Sequence, residues 1–152
     1  MKKEELYRRF DLRPEDPFVW FNGPPVLEEI PWGYVGVNRR KLAKIVEKRP
    51  PRHTNMVPLL KLMLRGLVFN PQVDGGILPF TELARRINKS RFTVHRESKL
   101  LSELGALYPI SYNGRYAVNP ELAQAVLPAG FVPYVAPPVK PKEGAKNEEA
   151  VS

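Results

Sequence analysis

The chain contains no cysteine and only two histidines, which limits the chemistry it can perform. Without cysteine there are no disulfides and no thiolate metal sites, so the fold depends on packing alone. His53 and His95 lie far apart in the sequence, and neither belongs to a metal-binding pattern such as HExxH. We therefore predict no metal site and no cofactor.

Sequence patterns for catalysis and for membrane association are also missing. The pair Gly75-Gly76 lacks the Lys and Ser/Thr that complete a phosphate-binding loop. No nucleophile and base occur in a recognisable arrangement, so we predict that the protein is not an enzyme. No apolar stretch is long enough to span a bilayer, and the N-terminus does not resemble a signal peptide. These absences predict a cytoplasmic protein without a membrane partner.

Positive charge is concentrated in one part of the chain. The formal net charge is +8; residues 1–36 contribute −2, residues 37–127 contribute +10, and residues 128–152 contribute zero. Such a concentration is typical of a protein that binds nucleic acid. The 152 residues suit one domain with two tails.

We predict three segments from composition: an aromatic, proline-rich N-terminal arm (residues 1–36), a DNA-binding domain (37–127) and a proline-rich, largely disordered C-terminal tail (128–152). Prolines make regular structure between Asp11 and Pro31 unexpected. The many apolar residues of the arm cover either their own domain or a partner, and both alternatives stay open.

The segment from Pro79 to Asn119 has the order of a helix-turn-helix followed by a hairpin. A first helix ends near Ile87, Asn88 suits a tight left-handed turn, and Ser90 is a good N-cap for a second helix. Gly105 is a typical helix C-terminal stop.

Beyond Gly105, Asn113-Gly114 lies between two β-forming runs, which indicates a hairpin. Ile77-Leu78 is predicted to join that hairpin as a third strand, and residues 121–127 to form a short helix. The predicted fold class is mainly α with a small β-hairpin wing, a winged helix-turn-helix.

The second helix of this motif would enter the major groove of DNA. Arginine on this helix is suited to reading guanine. The predicted base-contacting residues are Arg91, Thr93, His95 and Arg96. The predicted contacts to the DNA backbone are Ser90, Arg85, Arg86, Lys89, Lys99 and, at the wing, Arg115. The alternative is that these charges form only the solvated side of an amphipathic helix.

An earlier helix, predicted from Arg39 to Arg49, carries a dense run of positive charge. Seven cations between Arg39 and Arg52 face a single carboxylate, Glu47. A surface so charged would repel itself, which favours a polyanionic partner over a merely solvated face. We predict phosphate contacts from Arg39, Arg40 and Lys44.

Residues 81–107, TELARRINKSRFTVHRESKLLSELGAL, resemble the winged-helix pattern of bacterial regulators and of plasmid and phage replication initiators. The run GRYAVNPELA (114–123) is similar to the wing end of RepL-type plasmid initiators. The layout from Gly33 onwards is similar to the N-terminal domain of phage replication protein O. Glu97 and Ser98 depart from the pattern, since related proteins usually have Ala and a larger aliphatic residue there.

The resemblance implies a sequence-specific binder of double-stranded DNA that initiates plasmid or phage replication by bringing replication machinery to origin sites. The alternatives are a winged-helix transcription regulator acting with transcription machinery, and a phage protein-interaction module that acts on a host polymerase. The sequence leaves open whether the protein forms a homodimer.

Overall fold

The computed structural model describes residues 1–71, 77–110 and 115–128. These ranges contain five α-helices, a short 3-10 helix and five strands, more β-structure than predicted. In chain order they are α1 (Lys3–Arg9), β1 (Phe18–Phe21), the 3-10 helix (Leu27–Glu29), β2 (Tyr34–Asn38), α2 (Arg39–Glu47), α3 (Met56–Phe69), α4 (Phe80–Ile87), α5 (Arg91–Glu103), β3 (Leu107–Pro109), β4 (Tyr116–Val118) and β5 (Ala123–Val126).

Helix α3 lies at the centre of the core. Its residues Leu59, Leu60, Met63 and Leu64 are fully or almost fully buried, because apolar side chains occur nearly all round the helix. It contacts α4 and α5 as well as strands β2 and β5. Helix α3 is therefore the helix around which the core is built. In the described ranges no helix is long and apolar enough to cross a membrane.

The N-terminal arm contributes a strand, so the prediction of irregular structure from Asp11 to Pro31 is wrong. Strand β1 pairs in parallel with β2, and β2 pairs antiparallel with β5. The predicted boundary after residue 36 falls inside β2. Phe18 is buried, and Trp20 packs edge-on against it with ring centroids 5.9 Å apart. Phe18 and Trp20 of the arm are therefore part of the common core or packed against it, whereas Trp32 is 69% exposed.

Residues 121–127 form a strand, and the predicted helix is a second error. Asn119 caps only one turn, in which its Oδ1 accepts from the Glu121 amide at 2.9 Å. After that turn Ala123, Ala125 and Leu127 are buried while Gln124 and Val126 are partly exposed. This alternation of period two fits a strand, and antiparallel pairing with β2 places β5 at the edge of the three-stranded sheet.

Local backbone chemistry between α4 and α5 follows the prediction. Asn88 adopts a left-handed conformation with φ of 57°. Ser90 caps α5, its Oγ accepting from the Thr93 amide at 3.2 Å. Gly105 ends the second helix with φ of 89°, a value that suits glycine because it has no Cβ. Asn38 likewise caps α2 by accepting from the Lys41 amide.

Strands β3 and β4 pair antiparallel, which confirms the hairpin. Its predicted turn residues, Asn113-Gly114, lie outside the described residues. Residues 129–152 of the predicted C-terminal tail also lie outside them. Ile77 and Leu78 are not in a strand, so the predicted third strand is wrong. Ile77 is instead buried in the core, where its apolar side chain contributes without a ladder partner.

Candidate nucleic-acid interface

The outward face of α5 begins directly after the tight turn at Asn88. Arg91, Phe92, His95 and Lys99 are all exposed, and their spacing places them on one side of a helix. The opposite side is fixed by Val94 and Leu101, both fully buried. Phe92 is 72% exposed and was not predicted as a contact residue. An apolar side chain there could meet a thymine methyl group.

The four predicted base-contacting residues differ in whether their side chains already contact other parts of the protein. Within the described ranges the side chain of Arg91 makes no hydrogen bond or ion pair. His95 is exposed and stands edge-on to Phe80, with ring centroids 5.8 Å apart. Thr93 is half-buried and its Oγ1 lies 3.2 Å from Ser90 Oγ. Arg96 is exposed but pairs with Glu97 through Nη2 at 3.1 Å.

Two of the predicted backbone contacts, Arg85 and Arg86, already share a carboxylate. Arg85 makes a two-pronged ion pair with Glu82, and Arg86 Nε lies 2.8 Å from Glu82 Oε2. Hydrogen bonds from Arg85, then from Arg86, lower the pKa of Glu82 to about 2. The Arg85 pKa is raised by the same contact. Both guanidinium groups are therefore held in place, with part of their charge neutralised.

The remaining predicted backbone contacts around α5 are spread over its two ends and the hairpin. Lys89 and Lys99 are exposed, and neither forms an ion pair within the described part of the chain. Ser90 is exposed and occupied as the N-cap. Arg115 is half-buried at the start of β4, and its carbonyl accepts from the Ile110 amide at 3.0 Å.

The basic helix α2 lies in a different environment from α5. It packs against α1, β1 and β2, whereas α5 packs against α3, α4 and β3. Arg40 and Lys44 are exposed and Arg39 is half-buried, so their charges are accessible. The structure thus places these three cations on an element separate from the helix-turn-helix.

A contact that the sequence analysis missed joins α5 to the connection between α2 and α3. Glu97 of α5 is fully buried, and its Oε1 lies 2.7 Å from Nδ1 of His53 in the connection between α2 and α3. Its other oxygen accepts from Arg96. Burial of a carboxylate is tolerated only with such partners. Helical spacing could have indicated that Glu97 is buried, since it falls on the same side of α5 as Val94 and Leu101.

Comparisons with known proteins identified no relative of this chain. No protein-family model, curated protein or solved structure matches the chain significantly. In the described ranges no three His, Asp or Glu side chains come together as a metal site would require.

Proposed function

We propose that the protein is a sequence-specific double-stranded DNA-binding protein of the winged helix-turn-helix type, acting in the cytoplasm as a plasmid- or phage-type replication initiator. The observation that carries the proposal is the exposed face of α5, with Arg91 and Lys99 free of internal carboxylates in the described ranges. The tight turn at Asn88, the capped N-terminus of α5 and the paired hairpin support the same arrangement.

In this arrangement the N-terminal half of α5 enters the major groove. Arg91 is positioned to donate to guanine, and His95 lies one turn further along the same face. Lys89 and Lys99 contact phosphates at either end of the helix, which sets the register without reading sequence. Arg115 at the base of the hairpin supplies a flanking backbone contact.

The initiator role goes further than binding, because it requires recognition of origin sites and recruitment of replication machinery. Two alternatives remain: a transcription regulator of the same fold, and an interaction module that acts on a host polymerase. Binding within the replicon's own origin favours initiation, whereas binding at a promoter favours regulation. A homodimer would favour paired half-sites about one helical turn apart.

The test is selection of bound sequences from random duplexes, followed by affinity measurements on single variants. Arg91→Ala should cost about 1–3 kcal/mol on the selected site and relax the preference at one base pair. Lys44→Ala should weaken binding to all duplexes alike. It should also reduce the slope of log affinity against log salt concentration by about one, which corresponds to one phosphate contact. Arg8→Ala, at an exposed cation of α1, is the matched control and should change neither quantity.

The outcomes separate the candidate functions. If Arg91→Ala and Lys44→Ala weaken specific and random duplexes in the same proportion, α5 is not the reading helix. If no duplex is retarded at moderate salt, the DNA-binding proposal fails and the interaction module takes its place.

A further inference from the structure

A wide cleft opens between α1, the start of α3 and the end of α4. Its volume is about 710 Å³, and α5 and the hairpin contribute no lining residue in the described part of the chain. The cleft is therefore distinct from the surface proposed for base reading. Arg86, at the end of α4, lines it and is the one residue shared with the predicted DNA contacts.

The lining is strongly cationic. Six basic side chains line the cleft and a single carboxylate, Asp11, lies among them. Three further carboxylates pair with these cations from outside the lining: Glu5 with Arg9, Asp16 with Lys61 and Arg65, and Glu82 with Arg86. Six cations thus face four carboxylates, and an excess of two positive charges remains. The cations are Arg9, Arg13, Arg49, Lys61, Arg65 and Arg86.

The cations are held in place by the fold. Asp16 has a fully buried side chain, and its carboxylate lies 2.9 Å from Lys61 Nζ. Arg49 donates to the carbonyls of Pro50 and His53, and Arg9 donates to the Val46 carbonyl at 3.2 Å. A pre-ordered set of donors loses less entropy on binding than free side chains would.

The floor between these cations is aliphatic. Pro58, Leu62 and Ile87 line it and are exposed or half-exposed, whereas the one aromatic lining residue, Phe10, is fully buried. Unpaired nucleic acid is held in grooves by stacking of bases on aromatic faces, and this floor offers none. Aliphatic side chains surrounded by cations fit a peptide that combines leucine-like anchors with carboxylates.

We propose that this cleft is the docking site for an acidic, amphipathic segment of a protein partner. The carboxylates of the segment pair with the cationic rim, and its apolar side chains cover Pro58, Leu62 and Ile87. The site takes no lining residue from α5 in the described part of the chain, and Arg86 is the one cation that it shares with the proposed DNA contacts.

The test uses a phage-displayed library of random peptides, selected against the full chain. Enriched sequences should combine Asp or Glu with Leu, Ile or Phe, and a labelled synthetic copy should bind in solution. Pro58→Glu should weaken that peptide about tenfold or more, because it introduces a carboxylate into the floor. This variant leaves the helix intact: Pro58 is exposed in the first turn of α3, where a carboxylate is favourable.

Matched arms make the result decisive. Pro31→Glu, at an exposed proline outside the lining, should leave peptide affinity unchanged. The proposal is overturned if no acidic amphipathic peptide is enriched, or if Pro58→Glu binds the peptide as wild type does. It is also overturned if oligo(dT) occupies the cleft and is weakened by Pro58→Glu. Duplex retardation, measured in parallel, reports on the DNA-binding proposal separately.

Discussion

At the scale of single residues, helix α5 carries two polar groups on its buried side. Glu97 is satisfied by His53 and Arg96, whereas the Oγ of Ser98 is buried and has no hydrogen-bond partner in the described structure. The two side chains are neighbours, yet only that of Glu97 has hydrogen-bond partners in the described structure. A satisfied buried carboxylate holds its partners in position, and an unsatisfied hydroxyl costs free energy.

Ser98→Ala should therefore stabilise the protein. It removes a desolvated hydroxyl and introduces a better helix former, so the free energy of unfolding should rise by about 1 kcal/mol. The melting temperature should increase by roughly 2–4 °C for a chain of this size. Thermal unfolding followed by circular dichroism measures it. Ser102→Ala, at a half-buried position of the same helix, is the control and should shift the melting temperature less.

His53→Ala should destabilise the protein by about 3 kcal/mol, because Glu97 would lose one partner while remaining buried. The double variant His53→Ala/Glu97→Leu should recover much of that loss, since an apolar side chain needs no partner at a buried site. Urea unfolding of the two single variants and the double variant gives the coupling energy. Two single effects that simply add would contradict a direct His53–Glu97 interaction.

At the scale of elements, helix α4 combines two arginines that are predicted to contact DNA with one carboxylate, Glu82. The Glu82 carboxylate is partly exposed, so its ion pairs contribute little to stability, but it neutralises charge that the DNA-binding proposal assigns to phosphate contacts. Glu82→Gln should strengthen binding to all duplexes a few-fold and steepen the salt dependence by about one charge. Fluorescence anisotropy at several salt concentrations measures both quantities. Unchanged affinity would place Arg85 and Arg86 away from the DNA.

The pH dependence of the Glu82 pairs has a defined sign. The folded-state pKa is lowered from 4.5 to about 2, so the pairs contribute to stability above pH 4.5. That contribution is lost as the pH falls from 4.5 to 2 and the carboxylate becomes protonated. The Glu82→Gln variant should accordingly lack this part of the acid dependence seen in the wild type.

The elements also show what could be predicted from the sequence. Helices α2, α4 and α5, the turn at Asn88 and the cap at Ser90 depend on residues a few positions apart, and they were predicted correctly. Strands β1 and β5 are each stabilised by pairing with β2. Neither directly adjoins β2 in the sequence, and β5 is far from it, so local patterns could not identify them. Residues 121–127 were predicted as a helix, but their pairing with β2 outweighs the single turn that Asn119 caps.

The same distinction applies to the candidate site. The exposed positions of Arg91, His95 and Lys99 follow from helical periodicity and were predicted. The His53–Glu97 contact joins residues 44 positions apart, and the cleft is built from α1, α3 and α4 together, so neither could be located from sequence patterns. The pairing of Arg85 and Arg86 with Glu82 spans only three or four residues and could have been anticipated.

At the scale of the whole molecule, the N-terminal arm is a structural part of the fold. Leu6, Phe10 and Phe18 are buried in the core, and burial of three such side chains contributes roughly 6 kcal/mol. Asp16 adds a buried ion pair with Lys61 of α3. Loss of these contacts is comparable with the net stability of about 5–15 kcal/mol of a typical domain. Removal of the arm also removes the pairing of β1 with β2, so the remainder should unfold.

A fragment beginning at Gly23, after β1, should therefore show no cooperative unfolding transition in urea, whereas the full chain should unfold cooperatively. The fragment keeps α2 to α5 and the hairpin, but it exposes the β2 edge and leaves Lys61 and Arg65 without Asp16. Addition of a peptide spanning residues 1–22 should restore a transition whose midpoint depends on peptide concentration, because binding stabilises the folded state by mass action. A fragment that unfolds at the same midpoint as the full chain would show that the arm is an accessory to an independent DNA-binding domain.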